Sequence, residues 1–433
     1  MSEPKADHAS DAATPPRATA STATQLTLVT AVLVLAPFAL SYFLSYLYRA
    51  VNAVVAPRLV ADFQVDPAQL GVLTAAYLLA FAAFQLPLGV LLDRFGPRRV
   101  QAVLMVVAAG GAAWFALADS FAALTASRAL IGLGVAGGLM SGFKAVVLFV
   151  PAPRRALANA CVMSVGAIGL LVATAPTEWA VQAYGWRWVF AGLAGLSVLV
   201  AALIMVMVPR EGGDTPAGEP VPLRTQVRDI GRILSDAQVW ALAPLLATTA
   251  GTHIAIQTLW AGQWFRDVAG LNRDATAQNL FWMAVAFFAG ILFTGGIADR
   301  LVQRGLGLLD VMLGFVVLFI ASQAAIIVLP AEVTFLPWLI FGALGQVAIL
   351  AYPWLSSHFG TALSGRANTA MNFLIFTSAF AIQAAIGAII GAFTADEAGR
   401  YPQAAYDVAF GLFLLAQLIA LVWYLLARTR HRA

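Results

Sequence analysis

The chain alternates long apolar stretches with short polar ones. Twelve apolar stretches fall at approximately 32–57, 69–92, 99–118, 124–150, 156–178, 186–208, 239–265, 278–297, 307–329, 335–355, 368–393 and 402–426. A helix crosses a bilayer with about 20 mainly apolar residues, and each stretch is long enough. Inside lipid the backbone must satisfy its own polar groups, which favours helices here. The pattern predicts an all-α membrane protein with twelve transmembrane helices. The longest polar interruption, residues 209–237, holds Glu211, Gly212, Gly213, Pro216, Pro220 and four arginines. It separates six helices from six. The expected organisation is two pseudo-symmetric six-helix bundles, 26–208 and 238–433, joined by a cytoplasmic linker at 209–237. Residues 1–25, rich in Ser, Thr, Ala, Pro and charge, read as a disordered cytoplasmic tail.

Composition agrees. The chain is 61% hydrophobic and 11% charged, against roughly 25% charged in water-soluble domains, so a soluble enzyme or nucleic-acid binder is excluded. The apolar stretch after the tail is too long for a cleaved secretory signal. The lone cysteine, Cys161, rules out an internal disulfide and is assigned to packing inside a span. The net charge of +4 reflects arginines in loops. With both termini on one side, 17 of the 25 Lys and Arg share that side and six lie on the other. The positive-inside rule then places both termini in the cytoplasm, in a bacterial inner membrane.

The halves repeat. Gly89-Val-Leu-Leu-Asp93-Arg94-Phe-Gly96-Pro-Arg98-Arg99 follows the second stretch, and Gly295-Gly-Ile-Ala-Asp299-Arg300-Leu-Val-Gln-Arg304-Gly305 follows the eighth, 206 residues later. The fifth and eleventh stretches open similarly, with Arg155 and Asn159 against Arg366 and Asn368. Such repeats are the usual build of secondary transporters. The first loop resembles the signature loop of the major facilitator superfamily, and Asp299-Arg300 its weaker echo. Arg128-Ala-Leu-Ile-Gly132-Leu-Gly134 resembles the arginine motif of that family's fourth helix, and Gly185-Trp186-Arg187-Trp188-Val-Phe190 the sequence before its sixth. The resemblance covers residues 30–426. It implies two bundles rocking about a central cavity lined by helices one, four, seven and ten, and within the superfamily the chain looks most like bacterial importers of organic anions. Gly89, Asp93, Arg94, Gly96, Arg98, Asp299 and Arg300 form a charged cluster that can pair in one state and part in another, as a gate requires.

Charges inside spans cost about 2.5–3.5 kcal/mol each on insertion scales, which makes them functional candidates. Arg49 lies on a polar stripe with Tyr42, Ser45, Tyr46 and Asn52, a face that lipid would reject. The alternative puts Arg49 at the outer interface. Lys144 shares a helical face with Ser141, Met140 and Gly137; it either faces the cavity or snorkels to the membrane surface. His253, Gln257 and Trp260 recur on the seventh helix, with Trp264 beyond them as a candidate interface anchor. Gln346, Asn372 and Gln383 are further polar candidates. Arg128 lies about 160° around an ideal helix from Lys144 and is assigned to structure near the outer surface. The runs Gly134–Gly138 and Gly387–Gly391 match helix-packing motifs.

No acidic residue falls at the middle of a span, so a cavity holding Arg49 and Lys144 is electropositive and suits an anion. No Walker loop, metal cluster or nucleophile elbow is present, which argues against an enzyme and against a bound cofactor or metal. The reading is a monomeric importer of small organic anions, carboxylates foremost, driven by protons. His253, the only histidine well inside a span, is the candidate proton carrier, because an unperturbed imidazole titrates near about pH 6.5; Lys144 is its competitor. Rival readings are an exporter of drugs or metabolites and a membrane receptor that binds without transport.

Overall fold

The fold comes from a computed structural model describing residues 28–151, 154–210, 223–360 and 363–432. The tail at 1–25 and positions 211–222 of the linker lie outside the described residues.

The described chain is helical throughout its regular elements. Ten helices are long and apolar enough to span a membrane, and a pair bent by 46° makes an eleventh span. One of the ten, Pro67–Leu117, has 51 residues, about 76 Å at 1.5 Å per residue, more than twice the thickness of the hydrocarbon core. It is two spans. They meet at Gly96, whose φ of 72° and ψ of 161° break the helix inside the signature loop. The spans are thus α1 (Leu28–Phe63), α2 and α3 (67–95 and 97–117), α4 (Phe121–Phe149), α5 (Arg155–Val172 with Ala175–Tyr184), α6 (Trp186–Met207), α7 (Ala237–Asp267), α8 (Arg273–Gln303), α9 (Leu308–Val328), α10 (Phe335–Phe359), α11 (Ser364–Gly391) and α12 (Gln403–Arg432).

Two local features differ from expectation. Helix α1 continues past Arg58 to Phe63, so that arginine stands within a helix. The turn into α2 is compressed into residues 64–66. There Gln64 adopts a φ of 54°, and Asp66 makes a capping box with Gln69, accepting from its backbone N at 2.7 Å. The second half of the linker is a helix, Leu223–Leu234. Its Ile233 is buried in the C-terminal core, and its Asp229 pairs with Arg366 at the start of α11.

Buried apolar side chains form two main cores. One is built mostly from residues 34–208, the other mostly from residues 233–424. The halves approach most closely at the end away from the signature loops. Gly71 and Gly387 face each other there, and a Cβ on Gly387 would stand 2.5 Å from the Pro67 carbonyl oxygen. Gly262 packs against Ala53, and Gln182 donates to Asp274 at 2.8 Å. A second bond across the halves, from Gln346 to the Tyr46 hydroxyl at 2.6 Å, lies deeper. Among the described residues no hydrogen bond or ion pair joins the halves at the signature-loop end. The polar and close backbone contacts between the halves thus gather toward one end.

Candidate functional site: a carboxylate-free cavity

Three spans lose α-helical regularity where they reach the centre. Helix α4 is interrupted between Val135 and Gly138, where glycines lower the cost of leaving the helix. Helix α7 widens into a π-segment, Ile256–Trp260, a distortion frequent at functional sites. Helix α10 opens into a turn at 344–346 and resumes as a 3₁₀ stretch, Val347–Ala351, before Pro353. The breaks in α4 and α10 border a narrow cavity of about 80 Å³, and the π-segment of α7 begins two residues past Ile254, which lines it.

Eight sequence-selected residues line it: Tyr42, Ser45, Tyr46, Arg49, Met140, His253, Gln346 and Asn372. Arg49 is 8% exposed. Its guanidinium carbon lies 4.8 Å from the Tyr46 ring, 4.9 Å from Phe376 and 5.3 Å from Phe81. Its Nε has no partner, and the nearby Tyr77 hydroxyl donates to the Ser45 carbonyl at 3.0 Å. Among the described residues no carboxylate pairs with it, and none lines the cavity. His253 is buried between Phe287, at 5.7 Å and nearly parallel, and Phe341 at 5.3 Å. Its Nε2 is unpartnered. The ring occupies space that only a glycine leaves open, since a Cβ on Gly345 would stand 1.9 Å from that nitrogen. On α10 and α11 the Tyr352 hydroxyl bonds Asn372.

Four selected residues lie elsewhere. Lys144 is the main correction, because its Nζ pairs with Asp93 Oδ1 at 2.6 Å. Its side chain extends toward the signature loop, and α2 supplies the acid that α4 lacks. Asn52 turns to α2 and donates to Thr74 at 2.9 Å. Trp260 packs in the C-terminal core and donates to the Gln383 carbonyl at 3.2 Å. Gln257 is buried in the π-segment without lining the cavity. Trp264 is no interface anchor: it is 2% exposed and packs on Trp338 at 5.3 Å. Cys161, expected to be packed, is exposed on the bundle surface.

Sequence reasoning missed Phe81, Gln85, Tyr352 and Phe376. Gln85 carried a signal, a lone amide in an apolar helix. Nothing separated the phenylalanines from ordinary lipid-facing or core residues. Arg128 lies inside the N-terminal core, fully buried, with Nη1 donating to the Tyr48 carbonyl at 3.0 Å. This enclosure is consistent with the structural role assigned to it from the sequence.

At the signature loop, Arg98 donates to the Met205 carbonyl and Arg94 lies 5.2 Å from Phe95. Gly89 has open space where a Cβ would be. Asp299 and Arg300 are exposed and, among the described residues, make no ion pair. The echo therefore lacks the lysine partner that Asp93 has.

Comparison with known proteins supplies the family. The model of the Major Facilitator Superfamily matches residues 38–382. The hexuronate transporter of Escherichia coli (strain K12) is 27% identical over 405 residues, covering 89% of this chain and 85% of the relative. The D-galactonate transporter of Escherichia coli O6:H1 is 24% identical, over 61% of this chain and 66% of that one. A probable sulfoacetate transporter of Cupriavidus necator is 23% identical over 63% and 66%. Among solved structures, a bacterial homologue of the human lysosomal transporter Spinster, inward-facing and occupied, superimposes with a TM-score of 0.72 at 19% identity, over 92% of this chain and 96% of that one. A D-xylose–proton symporter gives 0.68 at 17% identity, over 90% and 96%. These two likenesses show the fold alone. The chain is a multi-pass membrane protein that belongs to the major facilitator superfamily, a family of secondary transporters and not of enzymes.

Proposed function

We propose that this transporter imports small organic anions, carboxylates foremost, by alternating access in a bacterial inner membrane, driven by cotransported protons. The observation that carries the reading is Arg49, a buried cation in the central cavity with an unpartnered Nε and no carboxylate beside it. Burying one ion costs several kcal/mol even after relaxation. Contact with an aromatic ring returns about 0.5–2 kcal/mol, so the rings around Arg49 compensate only in part. A carboxylate seated on the guanidinium would supply the rest. The relatives support this, since hexuronate, galactonate and sulfoacetate are all organic anions.

With both termini and the signature loops cytoplasmic, the end where the halves meet most closely is the outer one and the conformation faces inward. Asp93 and Lys144 belong to the gate, and His253 to the proton path. A carboxylate arriving beside the imidazole favours its protonated form, so anion and proton would strengthen each other's binding equally. The test is uptake of radiolabelled carboxylates into proteoliposomes with the pH gradient set in each direction. Accumulation that follows an inward proton gradient supports proton-driven import. Accumulation only against an inside-acid gradient makes the protein an exporter, and saturable binding without any transport makes it a receptor.

A further inference from the structure

The same cavity narrows the substrate class. This inference rests on the anion reading and goes beyond it. We infer that the site takes a monocarboxylate with a compact aromatic body, not a polyhydroxylated sugar acid and not a dicarboxylate.

Charge sets the first limit. Among the described residues Arg49 is the one arginine or lysine that lines the cavity, with the His253 imidazole as the only other basic group. Lys144 is neutralised by Asp93, and Arg128 is enclosed in the N-terminal core. While the imidazole is neutral, a second carboxylate is buried without a counter-charge, a loss that aromatic walls do not offset.

Hydrogen bonding sets the second. A sugar acid carries several hydroxyls, each needing a partner once water is removed. Several of the groups suited to that task are already engaged within the protein. Gln346 donates to the Tyr46 hydroxyl at 2.6 Å, Tyr352 bonds Asn372, and Gln85 gives its amide N–H to the Ala136 carbonyl at 3.1 Å. Seating a polyol means breaking these pairs. The fully enclosed lining atoms left without partners are the Arg49 Nε, Gln85 Oε1 and His253 Nε2, fewer than the polar groups of a sugar acid.

The walls set the third. Phe81 and Phe376 come from opposite halves, and their centroids are 4.3 Å apart. Tyr42 and Tyr46 meet edge to face at 5.1 Å. Ile254, Ile349 and Ile375 complete an apolar surround. A ring lying on these faces with its carboxylate on Arg49 leaves no buried hydroxyl unsatisfied. It also contacts both halves at once through Phe81 and Phe376, which is what a transported ligand must do to bias their rocking.

The experiment is calorimetric binding to the purified full-length protein, using benzoate, D-glucuronate, terephthalate and benzylamine as probes, with wild type, Phe376→Leu and Arg49→Gln. Benzoate should bind at least tenfold more tightly than glucuronate or terephthalate. Its affinity should fall at least fivefold in Phe376→Leu and be lost in Arg49→Gln. Thermal melting identifies any variant that is not folded, and the wild-type ranking decides the matter without the variants. Arg49-dependent binding led by glucuronate or terephthalate would overturn the aromatic assignment and leave the anion reading standing. Tighter binding of benzylamine than of any carboxylate would overturn the anion reading itself.

Discussion

The Nζ of Lys144 on α4 lies 2.6 Å from Oδ1 of Asp93 in the signature loop. This pair ties the helix that lines one side of the cavity to the loop between α2 and α3. Both side chains are partly open, 35% and 58% exposed, and exposed pairs contribute about 0–1 kcal/mol. A tie that weak can break and re-form, as the proposed gate requires.

Two substitutions follow from it. Lys144→Ala and Asp93→Asn should each slow turnover several-fold while leaving substrate affinity within about threefold of wild type. Because the residues act as a pair, the double variant should be no slower than the slower single one. Transport and binding measured on the same preparations decide it. A large loss of affinity in Lys144→Ala would return that lysine to the substrate site.

The close approach of the halves depends on Gly71 and Gly387. A side chain at Gly387 meets backbone, the Pro67 carbonyl, which cannot turn aside as a side-chain tip can. Gly387→Val should therefore disfavour closure and shift the population toward the outward-open form. A cysteine at Ser45 reports this through an impermeant thiol reagent applied from each side. Cys161 is exposed and must first be replaced by Ser. Labelling from the outer side should rise at least threefold in the valine variant, and unchanged labelling would place the gate elsewhere.

Coupling is assigned to His253. In proteoliposomes His253→Gln should still exchange labelled for unlabelled substrate across the membrane, because Arg49 remains. Net accumulation on an inward proton gradient should fall to the level set by equilibration. Continued uphill accumulation in this variant would remove the histidine from the proton path.

Much of this architecture was legible in the chain because lipid enforces it. Apolar stretches of span length, a repeated Gly–Asp–Arg loop and the asymmetry of arginines left few arrangements open. The site was legible in part, and the errors share one physical cause. A polar stripe along α1 shows that the face avoids lipid, but not whether it meets a helix or a cavity. Arg49 and Tyr46 met the cavity, whereas Asn52, on the same stripe, met Thr74. Lys144 was misassigned because its counter-charge sits 51 positions away in the chain, on a different helix. Trp260 and Trp264 follow His253 at helical spacing, but the π-segment Ile256–Trp260 shifts that spacing and both turn into the core. Phe81 and Phe376 had no signal at all, since their role arises only where two halves of the molecule meet.

The central claim is that Arg49 holds the carboxylate of the substrate. Its most direct test is carboxylate uptake by proteoliposomes containing wild type, Arg49→Lys and Arg49→Gln at matched amounts of folded protein. Uptake should be lost in the glutamine variant, by at least 50-fold, and reduced about tenfold or more in the lysine variant, whose point charge cannot present a planar fork to two oxygens. Uptake by Arg49→Gln within threefold of wild type would contradict the account.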